Sequence, residues 1–419
     1  MPVKVVLHSN VGLPSSSTSG QTGTVGEPSV ANNGDQWFVT GNWYAARSLD
    51  RGVNWTHVDP FSALPPVDDG FCCDQTAIAV PSKDIVVWVL QYSADATSGE
   101  NSLRIAVKKG RTFGDSVWHW WDLKPSGVNS AWAGEWFDYN HAAISDNFLY
   151  VGTNTFKGED FTRNTIFRLP LTDVADEGDL AFDYFTTTDS FSMRCTQGAT
   201  GVMFFAAHRD MACLRVYAWP ETAPGPTSRD VPVSKWNAGS YANPGPDGRN
   251  WLSRCDPRIT GAWVAGGTLG FMWTANSKSP SRPRPYVRVV RIDIGTMKVI
   301  DEPDLYHMAA SYAYPDASPN ANGEVGVTLF RGGGGYFPGH VVGVWDRGAK
   351  KWKLTATRNG TDGPGDGKWG DYLTCRPYGP DATTWLAAGY ALRGGPNRQN
   401  VEVRVVRFGI GAGGAGTTA

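Results

Sequence analysis

Two histidines, His141 and His208, fall at related points of neighbouring segments in this 419-residue chain. Arginines gather at the same recurring points: Arg194, Arg209, Arg254, Arg258, Arg331 and Arg376. Imidazole titrates near neutral pH, so paired histidines suit general acid–base transfer. Guanidinium grips carboxylate through two parallel hydrogen bonds, so an arginine-rich concavity suits a carboxylated ligand. Other polar residues keep step with them. Asn42, Tyr92, Asn154, His208, Asn276, Arg331 and Tyr390 each end an apolar stretch. Asp74, Asp138, Tyr139, His141, Arg194, Arg254, Asp256, Arg258, Tyr314, Asp316, Asp371, Tyr372 and Arg376 cluster where the stretches before these begin. Core packing does not require a polar residue at one aligned position seven times over. The plainer alternative is a solvated loop edge, and a single arginine or histidine is more often structural.

The elements that would position these residues are short strands. A unit of roughly 45–65 residues repeats along the chain. Its openings include Glu27-Pro28-Ser29, Cys73-Asp74-Gln75, Asp138-Tyr139-Asn140-His141, Cys195-Thr196-Gln197, Cys255-Asp256-Pro257, Tyr314-Pro315-Asp316 and Asp371-Tyr372-Leu373. Each leads to a second apolar strand, such as Val87-Trp88-Val89-Leu90 or Leu149-Tyr150-Val151. Cys213-Leu214-Arg215-Val216-Tyr217 reads as a third strand. Nothing with a 3.6-residue period competes. Units of four strands cannot bury their own faces, but stacked radially they cover one another. The expectation is an all-β, seven-bladed β-propeller occupying residues 1–410, with a flexible Gly-rich tail over 411–419. The strand Val3 to Leu7 should pair near Val401 to Phe408 and close the last blade. In a propeller the innermost strand starts, and the second ends, on one face, so the polar residues above should share that face.

Composition narrows the function. A net charge of −2 argues against a nucleic-acid partner. No apolar run is long enough to span a membrane. Hydrophobic residues make up 41% of the chain and aromatics 12%, which excludes a solvated, unfolded chain. Most of the 18 tryptophans should pack between sheets. Trp43, Trp136, Trp273 and Trp369 could instead serve as sugar-stacking platforms. The six cysteines are too few for a disulfide scaffold. Cys72-Cys73 could form a vicinal disulfide, and Cys195 could pair with Cys255 or with Cys213. Buried free thiols are the plainer alternative. No C-x-x-C spacing supports a zinc site. The opening residues lack a signal peptide's apolar core. The expectation is a secreted monomer whose signal lies outside this sequence. The tripeptides Asn54-Trp55-Thr56 and Asn359-Gly360-Thr361 are glycosylation acceptors consistent with that.

One turn carries a resemblance. Ser48-Leu49-Asp50-Arg51-Gly52-Val53-Asn54-Trp55 fits S-x-D-x-G-x-x-W, and Asp346-Arg347-Gly348 with Trp352 is a looser copy. With Trp136-Phe137-Asp138-Tyr139-Asn140-His141 and Trp369-Gly370-Asp371-Tyr372, the chain resembles secreted, sialidase-like (Asp-box) seven-bladed β-propellers. The early Arg-Ile-Pro segment of true sialidases is missing. Another branch, the rhamnosyl-glucuronate lyases and ulvan lyases, uses His, Tyr and Arg on this face. That resemblance implies cleavage at a uronate by β-elimination, with terminal rhamnose as one product. Arg331 or Arg254 would neutralise the carboxylate, and His208 or His141 would take the C5 proton. A tyrosine, Tyr372, or the other histidine would protonate the leaving oxygen. Asn42, Tyr92, Asn154, Asn276, Tyr390, Arg194 and Arg209 would bind the acidic polysaccharide. This chemistry requires no cofactor; a divalent cation in the channel has no ligand motif behind it. The alternatives are an exo-acting glycoside hydrolase built on paired aspartates among Asp74, Asp138, Asp256, Asp316 and Asp371, and a non-catalytic glycan-binding propeller. His8, His57, His119, His307 and His340 are less clearly on the face, although His340 could reach it from the Gly-rich loop 332–339.

Overall fold

Alternating apolar residues with Gly- and Pro-rich turns produce strands and almost nothing else. A computed structural model describes residues 2–13, 25–110, 118–278, 280–394 and 400–411. It contains seven four-stranded antiparallel sheets, six of them pairing neighbours in chain order and the last completed by the first strand of the chain, and the fold is a seven-bladed β-propeller. The chain forms two compact units, one of residues 29–233 and one of residues 1–28 with 234–419.

The first unit holds four blades. Their innermost strands are Ser29–Asn33, Phe71–Val80, Trp136–Ile144 and Arg194–Cys195. Their second strands, Gln36–Gly41, Ile85–Tyr92, Phe148–Lys157 and Val202–Asp210, carry the densest apolar runs. Ile85–Tyr92 is buried along its whole length, because both faces of that strand are covered. The third-strand reading at Cys213 is right, and the strand runs Cys213–Pro220.

The second unit holds three blades. Their innermost strands are Ile259–Ala265, Ser311–Pro319 and Thr374–Pro377. The second strands are Thr268–Ala275, Val325–Gly333 and Trp385–Leu392. In the last blade Val3–Asn10 pairs antiparallel with Val401–Ile410, as the sequence indicates. The tail 411–419 lies outside the described residues except for Gly411.

Antiparallel pairing brings strand starts and second-strand ends together. Phe71 faces Tyr92, Trp136 faces Phe156, and Tyr312 faces Arg331. Four innermost strands carry irregularities there, between Phe71 and Gln75, Ile259 and Gly261, Asp138 and His141, and Ala313 and Asp316, the last two being bulges of Trp136–Ile144 and Ser311–Pro319. Tyr139 and Tyr314, inside them, have φ of 57° and 55°, a left-handed conformation that non-glycine residues rarely adopt. The turn Ser48–Trp55 is held by Asp50, whose Oδ1 accepts from the Ser48 hydroxyl and the Asn54 amide, each at 2.8 Å.

Candidate functional site

The polar residues that end the second strands turn out to serve the fold in most blades. Backbone groups run out of ladder partners at strand ends, and side chains must satisfy what they leave. Asn154 donates to the Ser192 hydroxyl at 2.7 Å and accepts from Asn164 at 2.7 Å. Asn276 donates to the Ser240 carbonyl at 3.2 Å. Asn42 is buried. Tyr92 is buried beneath Arg104, whose Nη1 donates to its hydroxyl at 2.7 Å; burial raises the phenol's pKa. Tyr390 stacks on Trp369 at 4.5 Å and donates to that residue's carbonyl. All five were read as substrate-binding. Asn42, Asn154, Tyr92 and Tyr390 are sealed inside, because strand ends need capping as much as ligands need polar contacts.

The histidines divide. His141 is buried, and its Nε2 accepts the Cys195 amide at 3.2 Å. Its ring lies where a side chain on Gly152 would go, Cε1 only 2.1 Å from an added Cβ. That makes it a packing residue, not a base open to substrate. His340 does not reach the face either. It lies on the third strand Tyr336–Asp346, fully buried, between the hydroxyls of Thr328 and Thr357, each at 2.7 Å. Burial lowers its pKa to about 3. His208 is half-buried near the end of its strand.

The arginines divide as well. Arg376 is paired with Asp316, which is wholly buried and also accepts the Cys375 amide. Arg194 is buried and Arg209 forms a surface pair with Asp230 at 2.7 Å. Arg254 is exposed. Arg258 spans two carboxylates, Asp256 at 2.6 Å and Asp371 at 2.9 Å. Beside them burial, together with the neighbouring Cys255 and Asp371, drives the Tyr314 phenol well above its ordinary pKa. Tyr372 is buried next in sequence. Asp138 accepts from Gln91 at 3.1 Å, and Asn140 reaches the Asp74 carbonyl at 3.4 Å.

Arg331 is different. Among the described residues no carboxylate lies within ion-pair range of it. Its Nη2 donates to the neutral Asn359 Oδ1 at 3.0 Å, and its guanidinium lies 4.4 Å from the Tyr336 ring centre. His307 is 5.8 Å from Tyr336 and 6.1 Å from Tyr312, centre to centre. Tyr312 is Arg331's cross-strand partner. Burial raises the Tyr312 phenol, although Arg331 works the other way. His307 Nδ1 accepts the amides of Ala309 and Ala310, both at 3.1 Å. This leaves the ring proton on Nε2. One cation, two phenols and an imidazole donor thus converge at the start of one innermost strand. Arg331 is among the residues the sequence marks, His307 is one of the histidines less clearly on the face, and Tyr312 and Tyr336 are not among the candidates. Tyr336 opens its strand within the Gly-rich stretch 332–339, which is a strand hairpin and not a loop, and Asn359 lies in a glycosylation acceptor; both are usable signals.

Of the aromatic platforms, Trp273 and Trp369 are buried. Trp43 and Trp136 are half-buried, Trp43 donating to the Cys72 carbonyl at 2.8 Å. Cys72 and Cys73 are joined by a disulfide, whereas Cys195, Cys213, Cys255 and Cys375 are free thiols. Among the described residues no group of three or more His, Cys, Asp or Glu is arranged to hold a metal ion, so the divalent cation finds no ligand set there. Among them, too, no helix is long and apolar enough to cross a membrane.

No known family model matches the sequence, and no curated protein matches it. Solved structures are similar in fold only. A protein of unknown function from Dyadobacter fermentans is 9% identical, over 98% of this chain and 99% of its own, with a TM-score of 0.47. The Neurospora crassa Pan2 WD40 domain is 10% identical over 96% and 95%, TM-score 0.47. The Trypanosoma rangeli sialidase in complex with the inhibitor DANA is 10% identical over 80% and 54%, TM-score 0.40.

Proposed function

We propose that the protein is a secreted polysaccharide lyase that cleaves beside a uronate by β-elimination, with rhamnosyl-glucuronate as a candidate linkage. The observation behind this is Arg331, a cation with no acidic partner among the described residues, flanked by His307, Tyr312 and Tyr336. Arg331 binds the uronate carboxylate and makes the C5 proton more acidic. The His307 Nε2–H donates to the same group as negative charge moves onto it. Tyr336, as a phenolate beside the Arg331 guanidinium, accepts the C5 proton and becomes the phenol. The C5–H electrons form the C4–C5 double bond as the C4–O bond breaks. Tyr312, kept protonated by burial, gives its proton to the departing oxygen. The Cys72–Cys73 disulfide supports an oxidising compartment.

The test is ultraviolet absorbance of the protein with a panel of uronate polysaccharides, gum arabic included. A rise reports the unsaturated uronate, and Arg331→Ala should remove it. His208→Ala is measured in parallel: loss of turnover there with His307→Ala unaffected would overturn the assignment. A second reading, glycoside hydrolysis, has Asp256 and Asp371 brought together on Arg258. It would show as reducing sugar released with no rise in absorbance. Neither signal would leave a glycan-binding propeller.

A further inference from the structure

Arg331 does not stand alone at its end of the sheets. Arg358 ends the strand Lys351–Arg358, Arg393 follows Trp385–Leu392, and Arg404 lies near the start of Val401–Ile410. All three turn to one carboxylate, Glu402. Arg358 Nε is 2.5 Å from Oε1, Arg404 Nη2 is 2.6 Å from Oε1, and Arg393 Nε is 3.5 Å from Oε2. Asn359 joins this group to Arg331. Its side-chain oxygen accepts from Arg331 and its backbone oxygen from Arg393 Nη1, each at 3.0 Å. The other nearby acid, Asp362, lies behind Gly394 and is engaged by Arg249, 3.5 Å away, which also holds Asp247. One bidentate arginine would satisfy Glu402. Three guanidiniums on one carboxylate leave an excess of positive charge, and all three remain partly open to solvent.

We propose that Arg358, Arg393 and Arg404 form a second anion subsite, which takes the acidic group of the sugar next to the one held by Arg331. This narrows the uronate polysaccharides of the proposed function to polyanionic ones with charges on neighbouring residues, and away from an isolated rhamnosyl-glucuronate linkage. This rests on Arg331 as the carboxylate site.

The test is titration calorimetry of the full chain with polygalacturonate, alginate and chondroitin sulfate oligomers, with galacturonic acid as the single-charge probe. Arg393→Ala should weaken the best oligomer about tenfold, the scale of one lost charge-assisted hydrogen bond, and leave the monosaccharide unchanged. Glu402→Gln should tighten the oligomer, because it frees cationic donors. Unchanged oligomer binding in both variants overturns the proposal, as does native chain that binds none of the acidic oligomers. Single-stranded DNA bound as tightly as the oligomer also overturns it, because the patch would then be unspecific. If Arg331→Ala alters neither ligand while Arg393→Ala weakens the oligomer, the Arg331 reading has failed and the cluster remains an anion site.

Discussion

His340 makes the fold sensitive to acid, and the size of the effect follows from its surroundings. The ring is fully buried, both nitrogens are engaged by threonine hydroxyls, and its pKa is lowered from 6.5 to about 3. The folded protein therefore keeps it neutral across mildly acidic pH. The unfolded chain takes up a proton below 6.5. Protonation favours the unfolded state, so stability contributed here is present above that value and declines as pH falls towards 3. Between pH 7 and pH 5 the loss is about 2 kcal/mol, at 1.36 kcal/mol per pH unit below the unfolded pKa. His340→Gln should be less stable at pH 7, since the ring fills the space over Gly389. Its stability should fall about 2 kcal/mol less than the native protein's on moving to pH 5. The assay is urea unfolding of both proteins at the two pH values, followed by tryptophan fluorescence. Taking the difference cancels the titrating groups that do not interact with His340. Parallel losses in the two proteins would refute a neutral, buried His340.

Two further outcomes test other parts of the structure. Asp316→Ala removes the carboxylate from Arg376 while that guanidinium stays buried, and should cost about 3–5 kcal/mol; a variant that melts with the native protein would show the pair to be dispensable. Thiol titration in denaturant should find four reactive cysteines before reduction and six after it, and six at the outset would remove the Cys72–Cys73 bond.

The fold was legible because a blade is a local object. Strand, turn and strand recur within a few dozen residues, and Ile85–Tyr92 or Trp385–Leu392 read as buried strands from composition alone. The closing strand Val3–Asn10 could be placed because one blade otherwise lacked its fourth member. The site was legible only in part. Repeat position gives the end of the sheet at which a side chain such as Arg331 lies, near the start of the strand it pairs with. It does not say which way the side chain turns or what meets it there.

In sequence His141 is a candidate base and His340 a residue that could reach the face, and only tertiary packing shows each ring lying over a glycine of another strand, Gly152 and Gly389. Arg376 and Arg331 are equivalent as letters. The first meets a buried aspartate and the second an asparagine and a tyrosine ring. Residues far apart in the chain supply those neighbours, and they decide whether a charge is consumed by the fold or left for a ligand. The sequence by itself determined the strands, their grouping and the end of the sheets where polar residues collect. Only the tertiary structure decided which of those residues remain open, because desolvation and pairing depend on neighbours the chain brings together from a distance.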